Sequence, residues 1–199
     1  MATRTKEYLR SLVRELIKYP EETEWIEFKC NNKNPQMIGE YISALSNSAA
    51  LCEQPKAYLV WGINDATHKI VGTDFQYRKA KKGNEELEAW LCRMLSPRIN
   101  FRFFEISMDE KLIVLVEIPC AEKQPVQFAG KEYIRIGTNK KNLKEYPDKE
   151  RELWRSFDST PYELRIAMRN LKEDEMIALL DYSKYYDKLE MPIPRDRDK

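Results

Sequence analysis

The chain has 199 residues, of which 42% are hydrophobic and 34% are charged. This length suits one domain of ordinary size with its own core, and leaves room for a second short unit. Because 34 lysines and arginines balance 33 acidic residues, the net charge is +1, which excludes a global attraction to polyanions. Any argument for such a partner must therefore rest on local clusters.

Cellular location is indicated by what the sequence lacks. The first ten residues, MATRTKEYLR, contain no apolar signal core, and no uninterrupted apolar run approaches the roughly 18 residues that a membrane helix needs. The four cysteines are scattered without zinc-like spacing, as is typical of reduced thiols. We therefore expect a cytoplasmic protein without a membrane partner.

Hydrophobic periodicity predicts the elements in chain order. Helices are expected over 5–19, 36–52 and from Asn84 to about residue 95, with Asn84 as N-cap and Glu85 and Glu86 in the first turn. Residues 78–84 and 138–144 are predicted to be basic loops. Strands are predicted over 24–30, over the apolar stretch 56–63, which suits a strand buried on both faces, and over 70–73. Two hairpins are predicted, one that joins 99–108 to 111–119 through Asp109 and Glu110 and one around Gly130.

This order of elements predicts the fold class. It favours an α+β domain with a mixed, mainly antiparallel sheet and flanking helices, followed by a helical C-terminal extension. We expect an N-terminal helix over 1–19, a central domain over 20–142, and an extension over 143–199 that begins a further domain of a longer protein.

Carboxylates are the candidate catalytic groups. The sequence has no GxxxxGK[ST] loop and a single histidine, so an enzyme would have to use acids. Glu22, Glu27 and Asp65 could share Mg²⁺ or Mn²⁺ if strands 24–30 and 56–63 are neighbours, because these ions prefer oxygen ligands. Two plainer interpretations stay open: Glu27 is a solvated partner of Lys29, and Asp65 is a turn residue.

Two basic segments form the second candidate site. Tyr133 and Arg135 share one strand face, and the predicted loop after them adds further lysines. Lysines beside an aromatic ring suit phosphate contacts with adjacent stacking, although solvated loops would explain each cluster separately. The candidate nucleic-acid-binding residues are Lys29, Lys79, Lys81, Lys82, Arg135, Lys140 and Lys141.

Four motifs occur in an order that carries a family resemblance. They are ETEWIEFK, ISALSNSA, YLVWGINDATHKIVG and EYIRIGT. Together they resemble the Schlafen-type AlbA domain over roughly residues 20–142. The resemblance implies a nucleic-acid-binding module, of the kind found in transcriptional-regulator-like proteins.

The resemblance also bears on the site. Some animal Schlafen proteins are metal-dependent endoribonucleases, and their three acids match Glu22, Glu27 and Asp65. The first acid of the family's turn is Asn64 here, and EQPKAY replaces a common glycine pair. The family's R-x-G motif falls on Arg135, which implies a phosphate contact.

Three function classes remain open from the sequence. The first is a DNA- or RNA-binding module, the second is a Mg²⁺- or Mn²⁺-dependent endoribonuclease, and the third is a protein-interaction or homodimerisation platform. The choice between DNA and RNA stays open, because no base-reading pattern is visible.

Overall fold

The computed structural model describes residues 4–19, 23–157 and 188. All of these except residue 188 lie in one compact unit that spans Met1–Ser159. The predicted extension beyond residue 157 therefore lies outside the described residues, apart from that single position. In chain order the elements are α1 (Lys6–Leu16), β1 (Ile26–Lys29), α2 (Pro35–Leu51), β2 (Lys56–Trp61), β3 (Lys81–Lys82), β4 (Glu85–Glu86), α3 (Leu87–Met94), β5 (Leu95–Ser96), β6 (Arg102–Met108), β7 (Lys111–Pro119), β8 (Gln127–Phe128), β9 (Lys131–Ile136), β10 (Asn139–Asn142) and α4 (Pro147–Ser156).

The strands form two four-stranded sheets and one short ribbon. The first sheet has the order β1-β2-β7-β6, in which β1 runs parallel to β2 and the other pairs are antiparallel. The second sheet has the order β10-β9-β8-β5 and is antiparallel throughout. Strands β3 and β4 pair only with each other. The α+β class with a mixed, mainly antiparallel arrangement is therefore confirmed.

Helices α1 and α2 cover opposite faces of the first sheet. Along β1, Ile26 and Phe28 point into the apolar cluster that also contains Leu9 and Val13 of α1. Along β2, Leu59 points into the other cluster, which includes buried residues of α2. The apolar sequence of β2 thus reflects a strand buried on both faces, as the sequence predicts.

Helix α2 replaces a missing strand beside β9. Strand β8 pairs with β9 only as far as Glu132. Beyond it, the backbone N–H of Tyr133 donates to Ser43 Oγ at 3.1 Å and the carbonyl of Tyr133 accepts from Asn47 Nδ2 at 2.9 Å. The N–H of Arg135 donates to Ser48 Oγ at 2.9 Å. The polar residues of ISALSNSA are therefore buried because they satisfy a strand edge.

Gly39 of α2 lies directly against the buried ring of Phe128. A Cβ at this position would overlap the ring atoms of Phe128. Alanine normally stabilises a helix interior by about 1 kcal/mol over glycine. Here we expect Gly39→Ala to lower the free energy of unfolding by about 1–3 kcal/mol, because the inserted methyl overpacks the core.

The Gly39 prediction is checked by urea denaturation of Gly39→Ala, Phe128→Leu and the double variant. We expect Phe128→Leu to offset part of the loss caused by Gly39→Ala, because it removes ring atoms from the crowded space. A Gly39→Ala protein as stable as the parent would contradict the close contact.

Four local predictions are wrong. Helix α3 begins at Leu87 rather than near Asn84, because residues 81–86 form the β3–β4 ribbon, in which Lys81 faces Glu86 and Lys82 faces Glu85. Opposite charges across such a pair stabilise a ribbon. The two predicted basic loops, over 78–84 and 138–144, contain strands β3 and β10, and the predicted strand over 70–73 is a single bridge between Ile63 and Ile70.

Two predicted hairpins are confirmed. Strands β6 and β7 turn through Asp109 and Glu110, which have φ of 48° and 60°. Strands β8 and β9 turn through Ala129 and Gly130, with φ of 50° and 75°. Two consecutive positive φ values are what a tight two-residue hairpin turn requires. None of the helices described combines the length and the apolar character that crossing a membrane would demand.

Candidate functional site

The centre of the site is a buried ion pair between the two sheets. Glu27 of β1 is 1% exposed and Arg135 of β9 is fully buried, and their charged groups contact each other. Lys29, two residues along β1, contacts the other carboxylate oxygen. Because an isolated buried charge is costly, each of these groups depends on its partners for stability. Glu27 is thus paired with Lys29, but it is not solvated.

A second ion pair lies beside the first and is separated from it by an aromatic ring. Lys29 Nζ lies 5.3 Å from the ring centroid of Tyr41, and Lys140 Nζ lies 4.9 Å from the same centroid. Lys140 also lies 5.7 Å from the ring of Tyr133 and forms an ion pair with Glu40. Ammonium groups over tyrosine rings are attracted by the ring quadrupole. We call this group the charge cluster: Glu27, Lys29, Glu40, Tyr41, Tyr133, Arg135 and Lys140.

Glu40 is the most heavily bonded carboxylate of the charge cluster. Besides Lys140, it accepts from Gln36 Nε2 at 3.0 Å and from the Tyr133 hydroxyl at 3.4 Å. Burial alone would raise the pKa of Glu40, but the hydrogen bonds from Lys140 and Gln36 and the charge of Lys140 lower it overall. The carboxylate therefore stays ionised at neutral pH.

Glu27 and Asp65, the two predicted acids that the structure describes, lie in different environments. Strands β1 and β2 are parallel neighbours, as a shared site would require. Glu27 is buried against two cations, whereas Asp65 is exposed in the turn after β2. That turn is closed by Asn64, whose Oδ1 accepts from the N–H groups of Ala66 and Thr67.

Metal binding by these acids stays a prediction. Glu22 lies outside the described residues. Within residues 4–19 and 23–157, no group of three His, Cys, Asp or Glu side chains is placed to hold a metal ion. The Glu27 carboxylate, as it stands, does not fit a metal ligand, because it would have to exchange Lys29 and Arg135 for the ion.

The remaining predicted lysines lie outside the charge cluster. Lys79 belongs to a short 3₁₀ turn and Lys81 and Lys82 to β3, and all three are exposed. Lys82 Nζ also lies 5.9 Å from the ring of Trp90. We call residues 78–86 the lysine hairpin. Its three lysines form no salt bridge with any residue that the structure describes, and the same holds for exposed Lys141 of β10.

Two residues of the charge cluster are not identified by sequence reasoning. Glu40 and Tyr41 stand on α2 just before ISALSNSA, in a helix turn with no distinctive spacing. Glu40 is 100 positions away from its partner Lys140. The one available signal is a charged residue beside the apolar face of α2, which by itself is more typical of a solvated position.

The fold and the site together define an α+β domain whose two sheets are joined by α2 and by a buried ion pair. The chain belongs to the Schlafen AlbA_2 family, whose model matches residues 22–144. That match spans more than half of the chain and includes the charge cluster and the lysine hairpin. A comparison with curated proteins found no match.

The solved structures that are similar to this chain include two bacterial proteins. One is the DIP2311 protein from Corynebacterium diphtheriae, with 15% identity and a TM-score of 0.39; the match covers 69% of this chain and 26% of that one. The chain thus spans about a quarter of that protein's length. The other is the N-terminal domain of a protein from Nitrosomonas europaea, described as related to the ATP-dependent DNA helicase RecG. Its identity is 21%, its TM-score is 0.42, and the match covers 69% of this chain and 92% of that domain.

Proposed function

We propose that this domain binds nucleic acid through phosphate contacts made by exposed lysines. The observation that carries the proposal is the lysine hairpin, where Lys79, Lys81 and Lys82 are exposed without a salt bridge to a described residue. Glu86 and Glu85 lie across the ribbon from Lys81 and Lys82 without forming a salt bridge to them, so each lysine can meet a phosphate and release its counterions without first breaking an ion pair. Such a cluster stands out in a chain whose net charge is only +1.

Strand β10 supplies a further contact in this proposal. Lys141 is exposed and lies opposite Ile134 of β9 in the strand register. The ion pair between Glu27 and Arg135 fixes β9 against β1, and β9 in turn holds β10. We assign Arg135 and Lys29 a positioning role: their contacts with Glu27 hold β9 and, through it, the strand that displays Lys141.

A chain of direct packing contacts connects the lysine hairpin with the charge cluster. Lys82 lies over Trp90, and the Trp90 ring packs edge-on against Phe128 at 5.5 Å between centroids. Phe128 packs against Gly39, which precedes Glu40 in α2. Both basic regions are thus anchored to the same core, which gives them a fixed relative geometry for a common ligand.

The proposal is limited to nucleic acid as a class, because phosphate contacts position a protein without reading sequence. In a longer transcriptional-regulator-like protein, which the family resemblance implies, this domain would hold the nucleic acid while other parts act. A homodimer would strengthen such weak, charge-based binding by presenting two lysine hairpins at once.

The proposed function is tested by incubating the protein with labelled transfer RNA and with duplex DNA, in EDTA or in Mn²⁺, and scoring both binding and cleavage. Binding that persists in EDTA and weakens with added salt supports the proposal. Absence of binding at low salt would overturn it and favour the interaction-platform alternative.

The same assay separates binding from the endoribonuclease alternative. Cleavage that requires Mn²⁺ and disappears in Asp65→Ala would favour the endoribonuclease, and loss of cleavage in Glu22→Ala and Glu27→Ala as well would be needed to make all three acids its metal ligands. We favour binding without cleavage, because the Glu27 carboxylate already contacts two cationic groups.

Replacing Lys79, Lys81 and Lys82 together with glutamine is expected to weaken binding by at least tenfold at about 0.05 M salt. Each lysine that neutralises one phosphate adds a favourable electrostatic contribution to the binding free energy, and this contribution is largest at low salt. The measurement is fluorescence anisotropy with the labelled duplex and transfer RNA.

The matched control for the hairpin variant is the glutamine replacement of Lys6, Arg14 and Lys18. These three exposed residues lie on α1 or just after it, and α1 packs on the opposite face of the first sheet from α2. Their replacement removes the same charge as the hairpin variant. Equal loss of affinity in both variants would mean that net charge, and not the lysine hairpin, drives binding.

A further inference from the structure

The second ion pair of the charge cluster lies where a nucleic-acid ligand could reach it. The side chains of Glu40 and Lys140 are each 17% exposed, so their charged ends are neither sealed in the core nor free in solvent. Lys140 belongs to β10, beside exposed Lys141. Strand alternation places Lys140 and Lys141 on opposite faces of β10, so a phosphate would reach the Lys140 ammonium through its own exposed fraction and not by way of Lys141.

We infer that Glu40 is a built-in competitor that withholds Lys140 from nucleic-acid phosphates and so limits the affinity of the domain. This inference rests on the proposed function, since it concerns the strength of the same binding. A phosphate that reaches Lys140 must share the ammonium with the Glu40 carboxylate, which is negatively charged like the phosphate itself. Like charges held close together on a partly buried surface repel more strongly than they do in water.

The carboxylate of Glu40 is held in place and does not swing aside freely. Gln36 and the Tyr133 hydroxyl both donate to it, in addition to Lys140. Lys140 is restrained too, because it lies against the rings of Tyr41 and Tyr133. The competitor and the cation it neutralises are thus both fixed, and a phosphate gains little by displacing either one.

The test compares Glu40→Gln with the parent protein on labelled duplex DNA and transfer RNA. Glutamine keeps the size of the side chain and an acceptor for Tyr133, but removes the negative charge. We expect about tenfold tighter binding near 0.1 M salt, as one freed ammonium meets a phosphate. The slope of log K against log salt should steepen by about 0.9.

A second variant tests the inference without relying on Glu40→Gln alone. The double variant Glu40→Gln, Lys140→Gln removes both charges of the pair, so we expect it to bind as the parent does. A control, Glu15→Gln on α1, removes one negative charge from an exposed helix on the opposite face and should change affinity by less than about twofold.

Two results would overturn the inference while leaving the proposed function standing. In the first, the parent binds in a salt-dependent way but Glu40→Gln binds no more tightly than the parent. In the second, the double variant binds far more weakly than the parent. In the second case Lys140 would contact phosphate despite Glu40. If neither the parent nor Glu40→Gln binds at low salt, the proposed function itself fails. Thermal unfolding of each variant confirms that it is folded.

Discussion

Arg135→Ala is expected to lower the free energy of unfolding by about 3–5 kcal/mol, the cost of leaving a buried charge without its partner. Arg135 is fully buried and Glu27 is 1% exposed, so water cannot replace the missing guanidinium. Lys29 would remain beside Glu27, but it contacts only one of the two carboxylate oxygens. The measurement is urea denaturation followed by circular dichroism.

Two comparisons sharpen the Arg135 prediction. Lys141→Ala, on the neighbouring strand, removes an exposed cation and is expected to leave the free energy of unfolding nearly unchanged. The triple variant Glu27→Leu, Lys29→Met, Arg135→Met should recover most of the stability, because apolar residues of similar size leave no unpaired charge in the buried contact. An Arg135→Ala protein that is as stable as the parent but no longer binds nucleic acid would instead make Arg135 a phosphate ligand.

Asn47→Ala should have the next largest effect, a loss of at least about 2 kcal/mol, at roughly 1–3 kcal/mol for each of two buried backbone groups left unsatisfied. These two are the Val126 N–H and the Tyr133 carbonyl, because the Val126 carbonyl keeps its hydrogen bond from the Ser43 hydroxyl. The side chain donates to the carbonyls of Val126 and Tyr133, each at 2.9 Å, and accepts from the Val126 N–H at 2.7 Å. Asn47 is completely buried, so no solvent can take over these bonds. Thermal and urea unfolding measure the loss.

Ser46→Ala is the matched control for Asn47→Ala. Ser46 is also buried on α2, but its hydroxyl makes a single bond of 2.8 Å to the Pro119 carbonyl. We expect a loss of about 1 kcal/mol for this change. Equal losses for the two variants would contradict the view that Asn47 completes the edge of β9.

The sequence predicts the parts of the fold that depend on local patterns. The apolar stretch of β2 identifies a doubly buried strand, and helical periodicity over 36–52 locates α2. The predicted start of α3 is too early, because Asn84 and the two glutamates after it match a helix N-terminus. Those glutamates pair with Lys81 and Lys82 across the ribbon, and such a pairing is not visible in helical periodicity.

The candidate site is less predictable for a physical reason. Strand alternation places Glu27 and Lys29 on one face, but it cannot show that this face is buried against β9. The partners Arg135 and Lys140 come from a second sheet far along the chain, and single-sequence patterns carry no information about such contacts. Exposure of the lysines over 79–82 is better indicated, since charged residues in a short turn segment are rarely buried.

The charged residues of the domain therefore divide into two groups with different roles. The charge cluster uses the Glu27–Arg135 pair to join the two sheets, and most of its charge is neutralised internally. The three lysines of the lysine hairpin and Lys141 form no salt bridge with a described carboxylate. Substitutions that break the Glu27–Arg135 pair should change stability first, whereas substitutions of the exposed lysines should change binding alone.

The central claim is that the lysine hairpin contacts phosphates, and the salt dependence of binding tests it most directly. The slope of log K against log salt is measured for the parent and for the glutamine variant of Lys79, Lys81 and Lys82, on one labelled duplex. If all three lysines contact phosphates, the slope becomes shallower by about 2.7, at roughly 0.9 for each phosphate that is no longer neutralised. Identical slopes for the two proteins would contradict the claim.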